Sequence, residues 1–197
     1  MVKTVNEVFY ANRLMDQEEY EAAKTELLSI YEYALSKGEP TMYICYRLAW
    51  CEYNLNQPEE GIGWLDHALI NDPYNTLYSS LEYSLFDQLR SKIQMHIDLN
   101  PGPEGEVERL YHICFERGFV NSNLEFQMIE YYMKNNNFSA AKPFLDNALL
   151  RNPNDREIKA YRLHIAEIEQ DKPTIKRLQK GQISHSLNRL NLKVVHQ

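Results

Sequence analysis

Glycine and proline are sparse in this chain, 7 and 8 of 197 residues, which excludes a collagen-like protein or a long disordered one. Strand signals are nearly missing as well, because no stretch sustains a period-2 alternation of β-branched residues. No apolar run approaches the roughly 18–20 residues that a membrane helix needs, so membrane insertion is not expected. The opening segment, Met1-Val2-Lys3-Thr4-Val5-Asn6-Glu7, lacks the apolar centre of a secretory signal peptide, and a cytoplasmic protein is expected. Cysteine is rare too. Cys45, Cys51 and Cys114 are odd in number, far apart and set in apolar helical patterns, which suits buried thiols and not a disulfide framework.

Positive charge is in deficit. With 28 acidic against 21 basic residues the net charge is −7, and such a surface repels nucleic acid and anionic lipid. The deficit is uneven. From Lys172 to Gln197 there are six basic residues (Lys172, Lys176, Arg177, Lys180, Arg189 and Lys193) and no acidic one, so residues 1–171 carry 15 basic and 28 acidic side chains. Residues 182–197 form a basic C-terminal tail whose alternation from Leu190 to Val194 is strand-like or extended, with nothing nearby to pair with. It is a partner-binding tail, a plug for the acidic body or a frayed end.

Signatures of chemistry are also missing. There is no Gly-rich phosphate loop, no G-x-S-x-G elbow and no H-E-x-x-H, and the six histidines stand singly. His164 with Glu167, and Glu108 with His112, share a helix face, but two ligands do not complete a metal site. His112 and Cys114 are two apart and do not face each other on a helix, against a Cys-His nucleophile. The expectation is a protein without catalytic residues, cofactor or metal.

What the chain does contain is helical periodicity. Apolar residues recur at spacings of three and four almost throughout, interrupted by turn and cap signals such as Gly38-Glu39-Pro40, Asn56-Gln57-Pro58, Asn71-Asp72-Pro73, Asn100-Pro101-Gly102-Pro103, Asn135-Asn136-Asn137 and Asn152-Pro153-Asn154. These divide it into ten helices, and short connections imply antiparallel neighbours. Five hairpins are expected, at 4–37, 41–71, 75–117, 121–151 and 155–180, forming one domain over 1–181.

The hairpins are self-similar. Gly61, Leu65, Ala68 and Pro73 share their offsets with Ala141, Leu145, Ala148 and Pro153. Ala23, Leu27 and Ile30 continue the series. Leu48-Ala49 and Met128-Ile129 are paired apolar positions; Tyr132 follows the second pair, whereas Glu52 stands at the equivalent place after the first. Small residues let helices approach, and a bulky one fills the gap between successive hairpins. This pattern resembles the tetratricopeptide repeat, whose period is 34 residues. Ala23 to Gly61 is 38 residues and Gly61 to Ala141 is 80, so the middle unit is over length, with a long helix from about Asn75 to Leu99 and a shorter partner, Glu106 to Arg117. The last hairpin reads as a cap. The resemblance implies an all-α, right-handed α-solenoid.

On the helix Thr41 to Asn56, Tyr43, Tyr46, Trp50 and Tyr53 form one stripe, with Arg47 beside it, while Ile44, Leu48, Ala49 and Leu55 form another nearly opposite. A helix apolar on two faces must be covered on both. The resemblance places Tyr43, Tyr46, Arg47 and Trp50 on the concave surface that meets ligand, and by correspondence Asn12, Phe126, Gln127, Glu130, Tyr161 and His164 line the same groove. The other outcome is that an adjacent helix, the long middle one or the tail covers the stripe. The carboxylate clamp of cochaperone tetratricopeptide domains is not expected: only Asn12 matches it, and Val8 stands where its first Lys belongs. Aromatic rings and Arg dominate binding hot spots, so the expected function is a non-enzymatic adaptor or chaperone-like module that holds an apolar or basic segment of another protein. The alternative is a structural subunit that uses the aromatic face in a permanent homo- or hetero-oligomer, a homodimer included.

Overall fold

The structure is a computed structural model that describes residues 2–99 and 105–179, with side chains from Glu7 onward. The tail at 182–197 lies outside the described residues. The all-α expectation holds: the described residues form helices and no strand. In chain order these are α1 (Val2–Asp16), α2 (Tyr20–Lys37), α3 (Met42–Asn54), α4 (Pro58–Leu69), α5 (Thr76–Leu99), α6 (Glu106–Glu116), α7 (Ser122–Lys134), α8 (Phe138–Arg151), α9 (Arg156–Ile168) and α10 (172–179).

The chain divides into two compact units, Met1–Phe119 and Val120–Gln197. In the first, α1 packs on α2, α3 on α4 and α5 on α6, and the pairs are stitched together where α2 meets α3 and α4 meets α5. In the second, α7 packs on α8 and α8 on α9. Helices of 8 to 24 residues gain little stability in water on their own, so each depends on burying one apolar face against its neighbours.

The repeat is visible in the backbone itself. Glu18, Asn56, Asn136 and Gln170 all have left-handed φ, from 54° to 61°, and each sits two residues before the start of α2, α4, α8 or α10. In every case the next residue donates its N–H to a carbonyl five positions back: Glu19 to Leu14, Gln57 to Glu52, Asn137 to Tyr132 and Asp171 to Ala166, at 2.8–2.9 Å. This bond closes the first helix of the pair and reverses the chain. Residues 136 and 170 are 34 apart, the period of the repeat, so the last pair keeps its turn even though its helix faces diverge.

The small and bulky positions form the core. Ala23, Leu27, Gly61, Leu65, Ala68, Ala141 and Leu145 are all buried, each large side chain contributing about 1.5–3 kcal/mol through removal from water. At Gly61 the close approach is literal, since a Cβ there would lie 2.6 Å from Leu85 Cδ2 and 3.4 Å from the Ala49 carbonyl oxygen. The missing methyl lets α4 sit against α5 and α3 together. One proline breaks no helix: Pro143 lies inside α8, as its sixth residue.

Candidate functional site

The first-unit candidates converge on α3. Its deep face, Ile44, Leu48 and Cys51, joins α1 and α2 in a cluster with Ala11, Leu14, Leu27 and Ile30, and this fixes the rotation that turns the aromatic stripe away. Tyr43, Tyr46, Trp50 and Tyr53 then form a ladder, with successive ring centroids 6.3, 6.4 and 6.0 Å apart. Its rungs are unequal. Tyr46 is only 8% exposed, because Tyr78 of α5 packs on it with centroids 5.1 Å apart, whereas Tyr43 is 49% and Trp50 37% exposed. α5 therefore covers the middle of the stripe and leaves the rings at either side of it open. Burial, more than any nearby charge, pushes the phenols of Tyr46 and Tyr78 upward, so both stay protonated at neutral pH.

Polar groups flank the ladder and are incompletely used. Asn12 on α1 donates through Nδ2 to the Tyr43 hydroxyl at 3.5 Å, and Gln88 on α5 donates through Nε2 to the Tyr53 carbonyl at 2.9 Å. Their carbonyl oxygens, Asn12 Oδ1 and Gln88 Oε1, are buried without a partner, as is Arg47 Nε. Buried unsatisfied groups of this kind cost free energy in the absence of a partner. Tyr78 and Gln88 were not among the residues read from the sequence. Their signal was weak, because on α5 they fall within an ordinary buried face with Leu81, Leu85 and Leu89.

Phe126, Gln127, Glu130, Tyr161 and His164 belong to the second unit, on α7 and α9. Phe126 and Tyr161 approach with centroids 6.5 Å apart, and Phe126 lines a cavity of about 320 Å³ with Ile129, Ala148 and Ile158. Gln127 Oε1 is buried without a partner. Burial raises the Tyr161 phenol, and the carboxylates of Glu130 and Glu157 add to it. His164 is exposed and meets the ring of Phe138 edge-on at 6.1 Å.

The residues weighed for chemistry are placed elsewhere. His112 Nε2 contacts Glu116 Oε1 at 3.0 Å on an exposed face. Among the described residues no group of three or more His, Cys, Asp or Glu is placed to hold a metal. All three cysteines are free and buried, and burial pushes the thiols of Cys51 and Cys114 up to about 12 and about 11, far from the thiolate a nucleophile requires. No described helix is long and apolar enough to cross a membrane.

Ion pairs join neighbouring helices of the first unit. Glu52 is 1% exposed and meets Lys24 Nζ of α2 at 2.9 Å. The hydrogen bond to Glu52 raises the Lys24 ammonium pKa, outweighing the effect of burial. Glu59 at the start of α4 takes both Lys92 of α5 and Arg109 of α6. Burial alone would raise the Glu59 carboxyl, but these two cations hold it below the ordinary range.

No protein-family model matches the chain, and a search of curated proteins finds no match either. Among solved structures, MamA of AMB-1, in a P212121 crystal form, aligns over 91% of both chains with 16% identity and a TM-score of 0.37. At that level the likeness bears on neither detailed architecture nor activity.

Proposed function

We propose that the chain is a non-enzymatic protein-interaction module, an adaptor or chaperone-like scaffold that binds a segment of another protein along the α1–α3–α5 face of its first unit. The observation that supports this is the half-covered aromatic ladder: Tyr43 and Trp50 are exposed on a helix whose other faces are buried, beside Asn12, Arg47 and Gln88 atoms that lack partners. An apolar segment would bury the open rings. Its backbone N–H groups would serve the orphan oxygens of Asn12 and Gln88, and its carbonyls would serve Arg47. The acidic body favours a segment that is itself apolar or basic. In the second unit, Phe126, Gln127, Glu130, Tyr161 and His164 would provide a smaller contact of the same kind.

The test is an affinity pull-down from the native cell with the wild-type chain and a Tyr43→Ala/Trp50→Ala variant, followed by light scattering of the purified proteins. The variant should fold normally, because both rings are exposed, and should lose the recovered partner. Unchanged recovery would sink the assignment. A concentration-independent dimer of the wild type that Trp50→Ala dissociates would replace it with a permanent oligomeric interface.

A further inference from the structure

A second cavity of the second unit, of about 710 Å³, is lined by none of the groove residues named above. It is walled by Asp146, Leu149 and Leu150 of α8, Pro153 and Asn154 of the following turn, Lys159 and Arg162 of α9, and Thr174, Arg177 and Leu178 of α10. Its volume is in the range of pockets that hold small ligands or a few peptide side chains. Three of its side chains are cationic and one is anionic.

Arg162 is the unusual member. It is 7% exposed, and it occupies a place in the series Ile158, Arg162, Ile165, Ala166 whose other members are apolar core residues. Asp146 Oδ1 accepts from its Nε at 3.0 Å, yet its Nη1 is buried and has no partner. A guanidinium has five donors in a planar fork suited to paired oxygens, and one half-exposed aspartate leaves that fork underused. Lys159 and Arg177 make no ion pair among the described residues. Two further acids border the lining in sequence, Asp155 after Asn154 and Asp171 three residues before Thr174. Asp155 caps α9 by accepting from the N–H groups of Glu157 and Ile158. Asp171 lies at the start of α10. It caps α10 through Thr174, whose hydrogen bonds hold its carboxyl low, with Arg162 and Arg177 adding to the effect. Among the lining residues themselves one carboxylate stands against three cations, within a chain whose net charge is −7.

We propose that this cavity is a second binding site, for an acidic peptide segment in which a carboxylate stands beside an aliphatic side chain. The carboxylate would complete the Arg162 fork between Lys159 and Arg177, and the aliphatic group would lie on Leu149, Leu150, Pro153 and Leu178. Charge complementarity selects this occupant. The chain's own residues 180–197 contain Lys180, Arg189 and Lys193 and no acid, so they carry the wrong sign. An inorganic anion alone would leave the apolar wall unused. Acidic-motif recognition by clustered arginines is a known binding mode, and here it would operate on a different unit and with the opposite charge preference from the aromatic face.

The experiment titrates the full chain with a labelled acetyl-Leu-Asp-Leu-Glu-Leu-amide peptide, following anisotropy and backbone amide shifts. The expected result is shifts confined to residues 146–178 and binding that weakens at least tenfold in Lys159→Glu/Arg177→Glu but is unchanged in Trp50→Ala. Should the double variant fail to fold, Arg177→Glu alone, at an exposed position, should weaken binding about threefold or more. The proposal is overturned if charge reversal in a folded variant leaves affinity unchanged, if the amide shifts map elsewhere, or if the Asn/Gln version of the peptide binds equally well. Displacement of the peptide by equimolar inorganic phosphate would also overturn it, by showing an anion hole without use for the apolar wall.

Discussion

At the position where the fourth hairpin places Tyr132, the second places Glu52, and the two solutions show how differently one backbone can be held. Tyr132 is buried with Tyr131 and Phe144 at ring distances of 5.3 and 5.8 Å, a contact made by area and ring geometry. Glu52 is buried more deeply still and reaches across to Lys24 in the preceding hairpin. Both are followed by the same left-handed turn, and both residues supply the carbonyl that closes it. The lesson is that the turn and the small-bulky spacing define the repeat. The side chain between them is free to be aromatic glue or a charged link, provided that its buried polar atoms are satisfied.

Removing the shared element should have the largest effect. Leu65→Ala and Leu145→Ala, at equivalent buried sites, are each expected to cost about 2–5 kcal/mol in urea unfolding; a loss below about 1 kcal/mol at either would break the equivalence. The element that differs comes next. A double-mutant cycle on Lys24→Met and Glu52→Gln should give a coupling of about 1–2 kcal/mol, less than a fully enclosed pair because a quarter of Lys24 remains exposed. Because the Lys24 pKa is raised in the folded state, the alkaline limb of that coupling is set by Lys24: while Glu52 is ionised the coupling is fully present up to about pH 10.5 and fades as pH climbs through the higher folded value. Tyr132→Phe should show no such pH dependence.

Exchanging the small residues sharpens the comparison further. Gly61→Ala places a methyl against the buried Leu85 side chain, and overpacking of roughly 1–3 kcal/mol should outweigh the helix propensity gained, about 1 kcal/mol. Ala141→Gly should cost about 1 kcal/mol for the opposite reason, lost helix propensity. A stabilised Gly61→Ala would show that α4 and α5 have room to spare. The smallest effect is expected at the turns. Gln170→Gly should stabilise by up to about 1 kcal/mol, since a left-handed φ of 57° burdens a residue with a Cβ, whereas Asn136→Gly should gain less, because Asn tolerates that region.

Legibility in the sequence followed the range of the interactions. The spacing of Gly61, Leu65 and Ala68 could be read because a helix presents residues three and four apart on one face whatever surrounds it. The turns at Asn56 and Asn136 announced themselves through Asn, which suits the left-handed region. At Glu18 and Gln170 the same turn is made without a residue that favours the left-handed region; a break is legible there from the turn signals Gln17-Glu18 and Asp171-Lys172-Pro173, but its left-handed conformation is not. Among the aromatic residues, the stripe on α3 was evident from spacing. Which rings stay open was not, since that depends on Tyr78 arriving from α5. Arg162 carried a signal that was passed over: an arginine at a core position of an otherwise apolar series needs a reason, and the cavity beside it supplies one.

By itself, then, the sequence determined an all-helical chain, its division into antiparallel pairs and the small-bulky repeat within them, all consequences of local backbone preference and helical periodicity. The tertiary structure decided which face of α3 is covered, what Glu52 does where the fourth hairpin has a tyrosine, and where three cations, one of them an underused guanidinium, meet an apolar wall. Burial and charge pairing are set by side chains brought from distant segments, and no local pattern encodes their arrival.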